Sequence, residues 1–410
     1  MHRHEPALPA LREGAPRIEV ADIFRAHGEA YRLTHALRPE ERAAMHAIEV
    51  CRTAVLGGHV DVCAACDLSR PAYNSCRNRH CPKCQALTQA AWVDRRMERV
   101  LPTHYFHVVF TLPHELGALA LGNRKVIFDL LFSAAARTLL DLGMDEKRLG
   151  AQLGVTAVLH TWTRDLRLHP HVHCIVTGGG LAPSGDRWIS SAQNYLFPAR
   201  VLSPLFRGKF LDALTHAYER GELDLGGACA GLADRAQFDR LKDTLFRKDW
   251  VVYAKRPFAG PEQVFKYLGQ YTHRVGISNH RLVSSDACGV CFRTKDGKRV
   301  TVSAEEFIRR FLLHVLPDGF VKIRHYGLLA SGNVHTKLAA ARRHLRPTGE
   351  SDTARTHEQT WMERLTALTG VDLTICPRCG GPMIRRSLAD DPSQAPRATS
   401  PSPPPFADSS

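Results

Sequence analysis

Residues 59–84 constrain this chain more than any other stretch. His59, Cys63, Cys66, Cys76, His80, Cys81 and Cys84 fall within 26 residues that hold few apolar side chains. A segment of that kind buries too little surface to order itself and needs a staple. Cys63-x-x-Cys66 and Cys81-x-x-Cys84 are separated by fourteen residues. Each pair presents two thiolates to one ion, and two pairs complete a tetrahedron, so the spacing predicts a zinc ribbon. Cys51, His59, Cys76 and His80 remain; they could form a second site, or some of them, Cys76 and His80 first, could replace a ligand in the first. Zinc suits the donors better than iron, because no redox task is evident.

The rest of the chain is ordinary globular sequence with a basic balance. Its 410 residues suffice for two or three domains. No run of about 18 apolar residues is present, so no membrane span is expected. Met1 to Gly14 lacks the apolar stretch of a secretory signal, which predicts a cytoplasmic protein with reduced thiols. A net charge of +14 suits a polyanionic partner, since lysine and arginine displace the counterions of phosphates. No basic amphipathic helix points to a membrane surface.

Patterning divides the chain into an N-terminal arm (1–25), a helical and zinc-binding segment (26–98), a main domain (99–330), a basic segment (331–386) and a Pro/Ser-rich tail (387–410). The tail is expected to be disordered. The basic segment carries a Cys376-Pro-Arg-Cys379 knuckle, which by itself is half a zinc site. Strands are expected at 105–111, 155–163, 172–177, 250–253 and near 281–302. Helices are expected at 26–57, 86–100, 123–142, 200–220, 234–247, 261–274 and 304–315, with further helix in 331–370. Gly178-Gly179-Gly180 reads as the end of the 172–177 strand.

Two constellations carry chemistry. In His169-Pro-His171-Val-His173, alternation on a strand turns His171 and His173 to one face, where two imidazoles chelate a divalent ion. The third ligand is His160 if a hairpin turning near residues 166–167 sets it opposite His173; Gln270 is the second choice. In Tyr267-Leu-Gly-Gln-Tyr271, helical spacing puts two phenols on one face. A phenolate there would attack a phosphodiester and hold the strand covalently. Lys266 and Arg274 add positive charge beside them, and Arg77, Asn78, Arg79 and Lys83 on the zinc loop are candidate phosphate contacts. Either constellation alone also fits a bland reading, a solvated strand face or core aromatics. Their order along the chain is what separates the readings.

That order resembles the rolling-circle insertion-sequence transposases of the two-tyrosine, His-hydrophobic-His type with an N-terminal zinc-binding domain. The matching stretches are Tyr73-Asn-Ser-Cys-Arg-Asn-Arg-His-Cys-Pro-Lys-Cys84, Tyr105-Phe-His-Val-Val-Phe-Thr-Leu-Pro113, Leu159-His-Thr-Trp162, His169 to His173 with the glycine run, Tyr267 to Tyr271, and Arg324-His-Tyr-Gly-Leu328. The resemblance spans roughly residues 30 to 385. It implies an α+β fold: a central antiparallel sheet with the two histidines on a middle strand and helices covering one side, plus a small zinc module. It implies nicking and rejoining of single-stranded DNA at mobile-element ends, with a target DNA as second partner. The intermediate would be a 5′-phosphotyrosine on Tyr267 or Tyr271, beside Mg2+ or Mn2+ on His171 and His173. Histidine ligands fit manganese at least as well as magnesium. A homo-oligomer is compatible with this reading. The competing readings are an inactive zinc-dependent nucleic-acid-binding protein, and a replication initiator or relaxase with the same chemistry. The resemblance gives Cys288-x-x-Cys291, in a strand region, no role.

Overall fold

The computed structural model describes residues 18–84, 90, 99–258, 276–294, 296–345, 360, 363, 365–367 and 370–388. Its strands in chain order are β1 (Gly58–Cys63), β2 (Ser69–Tyr73), β3 (Tyr105–Thr111), β4 (Gln152–Trp162), β5 (Leu168–Leu181), β6 (Trp188–Ser190), β7 (Val252–Phe258), β8 (Leu282–Asp286), β9 (Gly289–Arg293), β10 (Arg299–Val302), β11 (Ile323–Gly327) and β12 (Met383–Ser387). With the helices between them they make a mixed α+β protein with antiparallel sheets. The chain forms two compact units, a larger one of residues 1–49 and 78–357 and a smaller one of residues 50–77 and 358–410. These cut across the segments expected from patterning. The Val20–Thr34 and Pro39–Glu49 helices belong to the larger unit, and the Cys376–Cys379 knuckle belongs with β1. Among the described residues no helix is long and apolar enough to cross a membrane.

The larger unit is built on an antiparallel sheet in the order β11-β4-β5-β3-β7, with β6 paired to β5. Alternation gives its strands two unlike faces. Val108 and Phe110 of β3, Val155, Ala157 and Leu159 of β4, and Val172, Cys174 and Val176 of β5 form one face of the core. Against them pack Ile127, Phe128, Leu131 and Phe132 of the Arg124–Met144 helix and Leu202, Phe206 and Phe210 of the Ala199–Glu219 helix. Phe110 and Phe206 meet at 4.9 Å between ring centroids. The opposite face carries His107, Val109 and Thr111, then His171, His173 and Ile175, then Thr156, Val158 and His160.

The β4–β5 hairpin turns more tightly than expected. Trp162 faces Leu168 across the turn, and His160 faces His171, two residues short of the expected partner His173. The Thr163 N–H donates to the Arg167 carbonyl at 2.9 Å, and Asp165 accepts from the Thr163 hydroxyl (2.6 Å) and from Arg167 Nε (2.7 Å). Leu166 sits at φ +65° inside this clasp, an uncommon conformation for a residue with a Cβ. Arg310 and Arg281 hold the turn from outside through the Asp165 and Arg164 carbonyls. A register shift between His160 and Trp162 sets one residue, Thr161, against two, His169 and Pro170. This bulge admits Pro170, which lacks the N–H a regular ladder needs, so β5 begins at Leu168 rather than after the proline. A two-residue register change preserves facing, so His160 still shares the face of His171 and His173.

The three glycines lie within β5 instead of ending it. A Cβ on Gly178 would come within 2.4 Å of the His104 ring, and one on Gly180 within 2.5 Å of the Gln152 carbonyl. Close approach of neighbours excludes side chains there.

The smaller unit is a ribbon in the order β12-β1-β2. Asp61 and Arg385 clamp β1 to β12 with a bidentate pair at 2.8 and 3.2 Å. Among its described residues only Cys51, Val60, Cys63 and Cys376 are buried.

Candidate functional site

The side chains of His160, His171 and His173 converge on the face of the sheet away from the main core. One nitrogen from each lies within 4.8 Å of the others. Ring centroids are 4.4 Å apart for His160 and His173, 5.0 Å for His171 and His173, and 5.5 Å for His160 and His171. Strand pairing supplies this geometry, since β4 and β5 are adjacent and the three residues share a face.

Each imidazole is held by a neighbour. His171 Nδ1 donates to the His169 carbonyl at 2.6 Å, which leaves Nε2 as a lone-pair donor. Burial pushes its pKa down to about 4, opposed by that carbonyl, so the ring is neutral at pH 7. His160 is 3 % exposed and stacks on Trp162 at 4.9 Å. His173 Nδ1 lies 2.8 Å from Nε2 of His107, which is 1 % exposed. For His173 to turn its Nε2 lone pair toward the other two rings, Nδ1 must carry the proton and donate to His107. His107 sits on β3, two residues before Val109, the direct partner of His173. Its place in the Tyr105–Thr111 alternation was the available signal, and sequence reasoning passed over it.

Three oriented imidazoles, each able to present one nitrogen, fit a divalent cation with positions left for other ligands. Tyr267 and Tyr271, with Lys266, Gln270 and Arg274, lie outside the described residues.

The zinc-loop residues behave differently from their expectation. Arg79 donates to the carbonyls of Phe320 (2.6 Å), Pro317 (2.8 Å) and Leu316 (3.3 Å), which commits its guanidinium to the fold rather than to phosphate. His80 accepts the Leu316 N–H on Nε2 at 3.2 Å, and its Nδ1 lies 3.2 Å from Asn78 Oδ1. Both ring nitrogens are therefore used, and His80 does not serve as a metal ligand here. Lys83 is paired with Glu19. Arg77 is exposed at a positive φ of 54°.

The cysteines also group differently. Cys63-x-x-Cys66 meets Cys376-x-x-Cys379, not the expected Cys81-x-x-Cys84. In the smaller unit Cys51 and Cys76 bring their sulfurs within 4.8 Å, and in the larger unit Cys81 and Cys84 do the same. Cys288 and Cys291 belong to no such group among the described residues.

Comparison with known proteins matches these features to one class. Residues 154–337 match the family described as "Putative transposase", and residues 23–112 match "Transposase zinc-binding domain". The chain is 48% identical over 387 residues to "Putative transposase y4qJ" of Sinorhizobium fredii, covering 92% of this chain and 97% of that one. It is 27% identical over 356 residues to "Transposase for insertion sequence element IS801" of Pseudomonas savastanoi pv. phaseolicola, covering 85% and 84% respectively. No solved structure matches. The zinc-binding match and the grouped thiols together support a structural zinc. The chain belongs to the insertion-sequence transposases that carry an N-terminal zinc-binding domain, the family its motifs resemble.

Proposed function

We propose that this transposase cuts and rejoins single-stranded DNA at the ends of its mobile element, with Tyr267 and Tyr271 as nucleophiles and His160, His171 and His173 as ligands of a divalent cation. The convergence of the three imidazoles carries the reading. A bound Mn2+ or Mg2+ would neutralise the scissile phosphate and orient it for in-line attack. The phenolate oxygen of one tyrosine attacks phosphorus, and the bond to the 3′-oxygen breaks. A 5′-phosphotyrosine and a free 3′-hydroxyl result, and attack by a 3′-hydroxyl reverses the step to join strands. Two phenols let one strand be held while a second is cut. Gln270 would complete the ligand set, and Arg77, Lys83, Lys266 and Arg274 would contribute positive charge along the DNA path.

The family membership supports a DNA substrate, and the convergence of the three imidazoles, with His171 held neutral by burial, supports metal binding at pH 7. The test is incubation of the protein with labelled single strands from its own element ends and Mn2+, followed by a denaturing gel. A protein–DNA adduct that disappears in His171→Ala and in the Tyr267→Phe, Tyr271→Phe double variant is expected. Cognate strands bound without any adduct would instead make the chain a nucleic-acid-binding protein without this chemistry.

A further inference from the structure

We propose that Cys63, Cys66, Cys376 and Cys379 together hold one structural Zn2+, so that the zinc ribbon is completed by the C-terminal end of the chain. Cys376 and Cys379 lie outside both family-matched segments, 23–112 and 154–337.

The four sulfurs lie within 4.8 Å of one another. Cys63 Sγ is 3.4 Å from Cys379 Sγ, and Cys66 Sγ is 3.7 Å from Cys376 Sγ. Tetrahedral coordination at a Zn–S length of about 2.3 Å puts sulfurs about 3.8 Å apart. A disulfide requires roughly 2.05 Å, so these contacts are not bonds between sulfurs.

The backbone around both pairs is shaped alike. The Ala65 N–H donates to Cys63 Sγ at 3.4 Å, and the Arg378 N–H donates to Cys376 Sγ at 3.4 Å. Such amides stabilise a thiolate without supplying a competing ligand. The first knuckle turns through Asp67 at φ +55°, and the second through Gly380 at φ +74°. Gly381 stands where the knuckles meet. A Cβ there would lie 3.0 Å from the Ala65 Cβ, 3.4 Å from Cys379 Sγ and 3.5 Å from Cys63 Sγ. The two loops therefore approach closely enough that a side chain there would press on Ala65.

The energetic need is equally local. Of the four buried residues described in this unit, three are cysteines, while Ile375 and Ile384 are 48% and 47% exposed. An apolar core of one valine does not order a three-stranded ribbon; a metal does. The ion joins residues more than 300 positions apart, so it would fasten β12 to β1 and make the ribbon depend on the C-terminal segment. Four thiolates suit zinc or a single iron, and the match of residues 23–112, which include Cys63 and Cys66, to a zinc-binding domain selects zinc.

Two measurements on the full chain test this. Elemental analysis by mass spectrometry counts zinc in the wild type, in Cys63→Ser/Cys66→Ser, in Cys376→Ser/Cys379→Ser, and in the quadruple variant. Each double variant should lose one equivalent, and the quadruple variant no more than one. Separate losses that sum to two, full retention in the Cys376→Ser/Cys379→Ser variant, or iron as the bound metal would overturn the proposal. The second measurement needs no substitution: maleimide alkylation of the zinc-loaded wild type, mapped by mass spectrometry. Cys379 and Cys288 are both exposed. Cys288 should react at once, while Cys379 should react only when a chelator removes zinc, together with Cys63. Equal alkylation of Cys379 and Cys288 in the loaded protein would refute the site.

Discussion

Replacing His107 by leucine should weaken divalent-metal binding without unfolding the protein. The 2.8 Å contact between His107 Nε2 and His173 Nδ1 is buried, with the two residues 1 % and 9 % exposed. Leucine occupies similar space and accepts no hydrogen bond, so the Nδ1 proton of His173 faces an apolar group. An unsatisfied buried donor costs about 1–3 kcal/mol. The ring can escape that cost by moving its proton to Nε2, which removes the lone pair the ion needs. Either response lowers affinity by about 5- to 150-fold at 1.4 kcal/mol per decade, in line with the roughly 10- to 100-fold effect of other outer partners of metal-bound histidines. The assay is titration of Mn2+ followed by the EPR signal of the free ion, alongside strand cleavage at increasing Mn2+. The His107→Leu variant should need more Mn2+ and approach wild-type cleavage at saturation. His107→Gln should recover most of the affinity, because its amide oxygen reaches the position of Nε2. Unchanged Mn2+ affinity in His107→Leu would refute the positioning role. So would an equal loss in leucine and glutamine variants.

Other consequences follow from the same geometry. His314 should make stability fall as pH drops through its window. Burial holds its pKa down to about 4, with the Leu166 carbonyl accepting from Nε2 at 3.0 Å and Thr161 at Nδ1. The unfolded chain then binds more protons between pH 6.5 and about 4, so up to about 3 kcal/mol of stability present at neutral pH is lost across that range. His80 and His171 act in the same direction, so the His314 share is the reduction in slope seen in denaturant titrations of His314→Gln; an unaltered slope contradicts the assignment. Arg124→Ala should destabilise the larger unit by about 3–5 kcal/mol, because it strands the Glu41 carboxylate that Arg124 pairs at 3.1 Å and frees the Val315 carbonyl. Urea unfolding reads this directly, and a loss under 1 kcal/mol would show that Glu41 finds water. Tyr253 is 55% exposed and lies in the cross-strand row of Val109 and His173, a position from which it can stack on a base. Tyr253→Ala should weaken single-strand binding by about 1–3 kcal/mol in fluorescence anisotropy, and wild-type affinity would exclude that contact.

Local periodicity accounts for what was legible in the sequence. Alternation in His171-Val172-His173 placed both imidazoles on one face because a strand repeats every two residues. His160 emerged as the third member because hairpin neighbours are adjacent in the sheet. The exact register was out of reach, since it depends on a bulge at Thr161 and a clasp formed by Thr163, Asp165 and Arg167. The glycine run looked like a strand end because glycine weakens strands in isolation. Its reason lies in His104 and Gln152, which crowd it from distant parts of the chain. The cysteine spacing identified the pairs that form knuckles, but spacing is local and does not say which knuckle meets which. Arg79 and His80 illustrate the same limit. Their carbonyl and amide partners at Leu316–Phe320 are more than 230 residues away.

The central claim is that DNA becomes covalently attached to a phenol beside the histidine cluster. Its most direct measurement is peptide mapping of the adduct formed with a cognate single strand and Mn2+. After nuclease and protease digestion, the nucleotide-bearing peptide should contain Tyr267 or Tyr271. Fragmentation should place a 5′-linked phosphate on one of these two phenols, and His171→Ala should abolish it. Attachment at any other residue, or cleavage that leaves a free 5′-phosphate with no adduct at any time, would contradict the account.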